Sequence, residues 1–320
     1  MPIISQAFPW QGIVIILAGA FLRSLYVINN KRNLRGLSPR FVVAVNMLGA
    51  GSILLALLFV TGGVPAGIDW LSWPAGILWP LLATAVLNLV LQHSEMKALK
   101  LEDASLVSPM GAASPLFALL SGFLLLHELP TLAGWFGVAL LSVGSYVLNI
   151  SKPVTQEIAS IPRTGANKHL HTLKNFLRPW FALGKSRGVQ LALLGAVMGS
   201  ISINFDKMVA VRTPPFFLPG IVMTSLGIST LLFVRKEHIP SKLTKQELGW
   251  MLLSPILFAG ALFLFVYALT FGQASYSSAL RRAGILFVVL LAGPLLKERG
   301  HPERIWGGAI MAVGAVLLAL

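Results

Sequence analysis

One apolar phrase is written twice along this chain. Ser114–Glu128 (SPLFALLSGFLLLHE) aligns without gaps on Gly284–Glu298 (GILFVVLLAGPLLKE), and each run is helix-length, apolar and closed by a glutamate. At the same spacing Ala104 meets Ala274, Ser105 meets Ser275, Gly137 meets Gly307 and Gly144 meets Gly314. Upstream, a second constant spacing brings Gly12, Gly19, Ala20, Ser24, Lys31, Pro39 and Met47 onto Gly188, Gly195, Ala196, Ser200, Lys207, Pro215 and Met223. Internal duplication of a wholly apolar unit is the sequence mark of a secondary transporter.

The 320 residues are 56% hydrophobic and only 11% charged, with a mean hydropathy of +0.79. Ordinary soluble domains carry about 25% charged residues, so the expected fold class is an all-α polytopic membrane protein. A spanning helix needs roughly 20 apolar residues. The runs predict ten transmembrane helices, near 11–29, 41–60, 76–98, 104–126, 132–150, 189–207, 216–234, 250–270, 274–296 and 305–320. The first has no basic n-region and no small-residue cleavage site, so it reads as a retained helix. Cysteine is absent, which excludes disulfides, thiolate metal sites and cysteine nucleophiles.

Two five-helix repeats, 1–150 and 188–320, flank a basic polar linker, 151–187. Within it, Leu170, Leu173, Phe176 and Leu177 fall on one side of a helical pattern. That pattern suits either an amphipathic helix on the membrane surface or a flexible linker. An odd number of helices per repeat makes the second copy enter from the opposite side, so the repeats are inverted. Of the 25 Lys and Arg, all but Arg23, Lys207, Arg212, Arg281 and Arg282 fall in the loops of one face. The positive-inside rule makes that face, with the linker, cytoplasmic and puts both termini outside a cell membrane. The net charge of +14 then serves topology and contact with anionic lipid. Nucleic acid is not an expected partner, because no basic platform interleaved with aromatics is present. A homodimer is left open.

Ionisable groups inside spans cost about 2.5–3.5 kcal/mol each on insertion scales, so each needs a reason. Arg23 stands about 16 Å along the first span counted from Gly12, near mid-membrane. Arg281 and Arg282 lie about two turns inside the ninth span, because the uncharged run Ala283–Leu296 is too short to cross alone. Arginine suits bidentate capture of a carboxylate or phosphate, and the three point to an anionic or zwitterionic substrate. In the third span Asn88, Gln92 and Glu95 share one helical face, with His93 beside them. The matching face of the second copy is Phe258, Leu262 and Phe265, so polar recognition concentrates in one half. Asn88, Gln92 and His93 are therefore candidate substrate contacts; the alternative is interhelical bonding, worth about 0.6 kcal/mol on average. Asp206 is a candidate gate or coupling residue, either pairing with Arg281 or Arg282 across an outer mouth or pairing locally with Lys207 or Arg212. Glu128 and Glu298 read as acceptors at a helix N-terminus.

The pattern Pro115-x-Phe117, a Leu-rich helix, Glu128, then Gly137 and Gly144 resembles the EamA-type unit of the drug/metabolite transporter superfamily. So does Leu286-Phe287 through Lys297-Glu298 to Gly307 and Gly314. The resemblance covers residues 11–150 and 188–320. It implies ten helices in two inverted repeats around a cavity lined by the first, third and fourth helices of each half. It also implies export or exchange of small metabolites, which in relatives range over amino acids, sugar phosphates, nucleotide sugars and drugs. Two departures stand out. Ile285 replaces the fourth-helix proline in the second copy, and the charge-derived termini lie opposite to the family's usual side.

The expected function is secondary-active transport by alternating access, with no cofactor and no metal. No GxxxxGK[ST] motif occurs, so energy must come from a gradient or from exchange. A flippase for a lipid or polyprenol phosphate is the alternative within this fold. An intramembrane enzyme is a third reading, but the sequence has no HExxH motif and no paired-carboxylate signature.

Overall fold

The computed structural model describes residues 8–33, 37–72, 76–102, 107–150, 180–232, 234, 243–296 and 303–320. The helical patch expected in the linker and the duplicated Glu298 lie outside them. The chain forms α1 (Trp10–Asn33), α2 (Pro39–Val60), α3 (Leu78–Leu101), a short 3-10 helix (Ser108–Ala113) that runs into α4 (Ser114–Leu126), and α5 (Leu132–Ile150). The second half forms α6 (Arg187–Ala210), α7 (Phe217–Leu231), α8 (Lys245–Ala268), α9 (Ala274–Arg281), α10 (Ala283–Leu296) and α11 (Glu303–Leu318). No strand occurs among the described residues. A helix, or a broken pair of helices, thus stands at each of the ten expected positions. Five segments are long and apolar enough to cross a membrane: 10–30, 39–60, 109–126, 187–210 and 245–268. The apolar helices 132–148, 217–231 and 306–318 are shorter.

Helix starts follow local chemistry. Ser38 accepts from the Phe41 N–H and Pro39 occupies the first turn of α2, where a missing N–H costs nothing. Thr244 and Glu247 cap α8 reciprocally, a capping box that satisfies two otherwise orphaned donors. Ser186 caps α6 through the Val189 N–H at 3.2 Å.

The two halves pack as inverted copies. Each small residue that lets one helix approach another has a counterpart making the mirrored contact. In the α5–α11 seam, a Cβ on Gly137 would lie 2.9 Å from the Gly314 oxygen, and one on Gly144 would lie 2.7 Å from the Gly307 oxygen. In the α2–α7 seam, Gly51 meets Thr224 and Gly227 meets Leu48. Gly19 of α1 sits against Ala261 and Phe265 of α8, as Gly195 of α6 sits against Leu91 and Glu95 of α3. In the α5–α11 and α2–α7 seams, which pair equivalent helices, rising residue numbers on one helix meet falling numbers on its partner, so those helices run antiparallel. Without a hydrophobic drive in lipid, close approach of this kind carries helix association. Gly137 and Gly144, and their counterparts Gly307 and Gly314, stand seven apart in the sequence and occupy the α5–α11 seam.

The fourth helix of each half is broken, where a single continuous span was expected. Pro115 has no N–H, so the Gly111 carbonyl lacks the α-helical donor four residues on and accepts the Ser114 N–H instead. The chain before it tightens into the 3-10 helix. The second copy has Ile285 in place of this proline, yet it also breaks, between Arg281 and Ala283. There the Arg282 N–H bonds the Ala279 oxygen at 3.0 Å and the Ile285 N–H bonds the Arg282 oxygen at 2.9 Å.

Candidate functional site

Arg23 and Arg281 rest on aromatic rings. The Arg23 guanidinium carbon lies 5.2 Å from the Tyr26 ring centroid and 5.0 Å from that of Phe258. Those two rings are stacked 4.5 Å apart, 13° from parallel. Arg281 stands 4.3 Å over Phe265. Phe258 and Phe265 are two turns apart on α8, so one helix face supports both cations. The ring faces replace part of the lost hydration, each worth on the order of 0.5–2 kcal/mol. Among the described residues neither guanidinium has a hydrogen-bond or ion-pair partner. Among those residues their N–H forks are free.

Arg282 is engaged differently. It donates 2.5 Å to the Gly111 oxygen, the carbonyl that Pro115 releases, and also donates to the Ser114 hydroxyl. The Ser114 N–H also donates to that oxygen, so an arginine of one repeat adds a second bond to the broken helix of the other.

Glu95 of α3 stands within electrostatic reach of Arg282, Arg23 and Arg281. Asp206 of α6 stands within reach of Arg281. Arg23, Glu95 and Arg281 are all exposed, and they stand on α1, α3 and α9. Three cations face two carboxylates there, which leaves one positive charge uncompensated.

The third-span residues separate. Asn88 donates to the Thr84 carbonyl at 2.9 Å, the Thr84 hydroxyl at 3.1 Å and the Ser202 hydroxyl at 2.9 Å, which ties α3 to α6. Gln92 points its amide at the Met47 sulfur, 3.7 Å away on α2. His93 is exposed and makes no side-chain hydrogen bond or ion pair among the described residues. Asp206 accepts from the Thr84 hydroxyl, and no ion pair joins it to Arg281 or Arg282 among the described residues. Lys207 does not pair with Asp206. It pairs with Glu128 and donates to the Gly272 oxygen at 2.6 Å. Glu128 in turn accepts from the Ala274 N–H at 3.2 Å, so it caps α9 of the opposite half and not the helix that follows it in sequence.

Sequence reasoning assigned Phe258 and Phe265 to apolar packing and passed over Tyr26, Thr84 and Ser202. The aromatic platform leaves no mark of its own in a chain this apolar. The link between Glu128 and Lys207 had a signal, because both residues recur in the duplicated register.

These features define a helical membrane transporter built from two inverted repeats. The family model for the EamA-like transporter family matches residues 10–150 and 186–320, and the chain belongs to that family. No curated relative matches the chain. Among solved structures, one crystal structure of a protein is similar with a TM-score of 0.71 at 16% identity, over 97% of this chain and 96% of that chain. At that identity the likeness shows the fold alone.

Proposed function

We propose that this protein is a secondary-active transporter, and not an enzyme, that moves a small anionic or zwitterionic metabolite across a cell membrane. The observation that carries the reading is the pair of free guanidinium forks, Arg23 and Arg281, set on aromatic faces inside helices of a membrane protein. Bidentate capture of a carboxylate or phosphate is what such a fork offers. Glu95 on the facing helix suits an ammonium group of the same substrate. Ten spans, with the linker cytoplasmic and anionic lipid against the basic face, complete the reading. Alternating access would tilt one inverted repeat against the other around this charge cluster.

Counterflow in proteoliposomes tests it, with radiolabelled amino acids, carboxylates and sugar phosphates offered in turn. At least one anionic or zwitterionic probe is expected to exchange, and a folded Arg23→Leu variant is expected to lose that exchange. Arg23→Lys keeps the charge without the planar fork, so about tenfold weaker apparent affinity is expected, roughly 1.4 kcal/mol. Wild-type exchange in Arg23→Leu would sink the assignment.

A further inference from the structure

The inverted halves make one hydrogen bond twice. Ser254 of α8 donates to Asn30 Oδ1 of α1 at 3.1 Å. Thr84 of α3 donates to Asp206 Oδ1 of α6. Ser254 is the counterpart of Thr84, and Asn30 is the counterpart of Asp206, by the same two spacings that align the repeats. Both bonds sit among further polar groups, at positions that are not equivalent in the two halves. Asn46 also donates to Asn30 Oδ1 at 2.9 Å, and Asn29 and Asn33 both donate to the Ser254 hydroxyl. On the other side, Asn88 and Ser202 both contact the Thr84 hydroxyl.

The fold therefore closes this contact with an amide on one side and with a carboxyl group on the other. Packing does not require the acid, since asparagine does the same work without a charge. A charge in a membrane span carries a cost of about 2.5–3.5 kcal/mol. What aspartate adds is a proton that can come and go.

We propose that Asp206 is a proton-binding site that couples substrate movement to a proton gradient. The charged group facing it is Arg281 of α9. From α3 it meets the uncharged Thr84; His93, Glu95, Lys97 and Lys100 lie further along that helix, the nearest about 14 Å from Thr84. The 3-10 helix, α4 and α7 carry no ionisable residue. The ionisable residues of α8 are Lys245, Glu247 and Tyr267, and α9 also carries Tyr276, whose hydroxyl is bonded to Thr131. Lys207, its own neighbour, is held by Glu128.

The exchange of charge is direct. With the site empty, ionised Asp206 balances Arg281. A substrate anion on the free Arg281 fork takes over that role, and the Asp206 carboxylate then binds a proton from water, forming one O–H bond. Arg281 keeps its own proton throughout. Proton and anion arrive together and leave together, which is cotransport. Asp206 is only partly buried and one turn from the end of α6, so water can deliver the proton. This consequence rests on the transport reading, whereas the proton site can be tested apart from it.

Two measurements on the full-length protein do so. Infrared difference spectra between neutral and acidic buffer, in light and heavy water, are expected to show a carboxylic C=O band that Asp206→Asn removes and Glu95→Gln retains. In proteoliposomes given a radiolabelled amino-acid mixture, Asp206→Asn is expected to keep counterflow at equal pH and lose accumulation driven by a pH step. The variant copies the bond that Asn30 already makes, so it should fold, which size-exclusion chromatography checks. An unchanged band, or pH-driven accumulation equal to wild type in Asp206→Asn, overturns the proposal. Absence of counterflow for every probe in the wild-type protein would count against the transport reading, and the band would still decide the proton site.

Discussion

Arg281 and Arg282 are adjacent in sequence, yet their surroundings divide them. Arg281 lies on Phe265 with its fork free, while Arg282 is tied to the Gly111 oxygen and the Ser114 hydroxyl. Consecutive helical residues point about 100° apart, so this separation follows from the helix itself. Charged hydrogen bonds of the Arg282 kind are worth about 1.5–3 kcal/mol each. Arg282→Gln is therefore expected to lower the thermal stability of the purified protein by roughly that amount and to leave apparent substrate affinity within about twofold. Arg281→Gln is expected to do the opposite, with affinity falling at least about tenfold and stability nearly unchanged. Thermal unfolding in detergent beside counterflow kinetics separates the two, and identical behaviour would show that both arginines share one role. The sequence made these residues visible because charge is expensive in a span. It did not show which arginine was free. That depends on Pro115, in the other half of the chain, releasing a carbonyl that only the fold brings to Arg282.

Helices, as elements, were legible wherever the apolar runs were long. The seams were legible too, because glycines recurring seven apart mark close approach of two helices. Not legible was the break between α9 and α10. The proline that causes the first break has no counterpart at Ile285, and the second break is held by the turn at Arg282 instead. The same geometry makes the glycines testable as a graded series. A Cβ on Gly144 would sit 2.7 Å from the Gly307 carbonyl oxygen and 3.1 Å from the Met311 nitrogen, whereas one on Gly249 meets nothing within 4 Å. Backbone cannot step aside as a flexible side chain can. Gly144→Leu is expected to cost about 1–3 kcal/mol by overpacking and to depress the yield of monodisperse protein. Gly249→Ala, in the first turns of α8, is expected to be neutral or to stabilise by up to about 1 kcal/mol, because glycine is a poor helix former. Equal melting temperatures for the two variants would show that the α5–α11 seam is looser than these distances state.

At the scale of the whole molecule, contacts at the helix ends define two opposite poles. Glu102, just past α3, accepts from the Ser186 hydroxyl before α6 at 2.7 Å, and Asn29 near the end of α1 donates to the Trp250 oxygen near the start of α8 at 2.7 Å. These ends gather at one pole. At the other, the Lys207–Glu128 pair joins the end of α6 to the turn after α4 and, through Gly272 and Ala274, to the approach to α9. The Phe8 N–H bonds the Leu318 oxygen there at 3.1 Å, and the Phe8 ring lies against Gly272. Phe8 and Leu318 therefore lie at the pole opposite Ser186, whatever the sign of the potential across the membrane. Charge supplies the sign, since Lys and Arg are retained on the cytoplasmic side. A chain without cysteine reports single introduced thiols cleanly. In intact cells, Ser5→Cys is expected to react with an impermeant maleimide and Ala166→Cys only after permeabilisation. The reverse pattern would keep the inverted architecture and overturn the charge-based orientation. Labelling of both from the same side would contradict the two-pole geometry, and with it the placing of the linker opposite the ends of the chain.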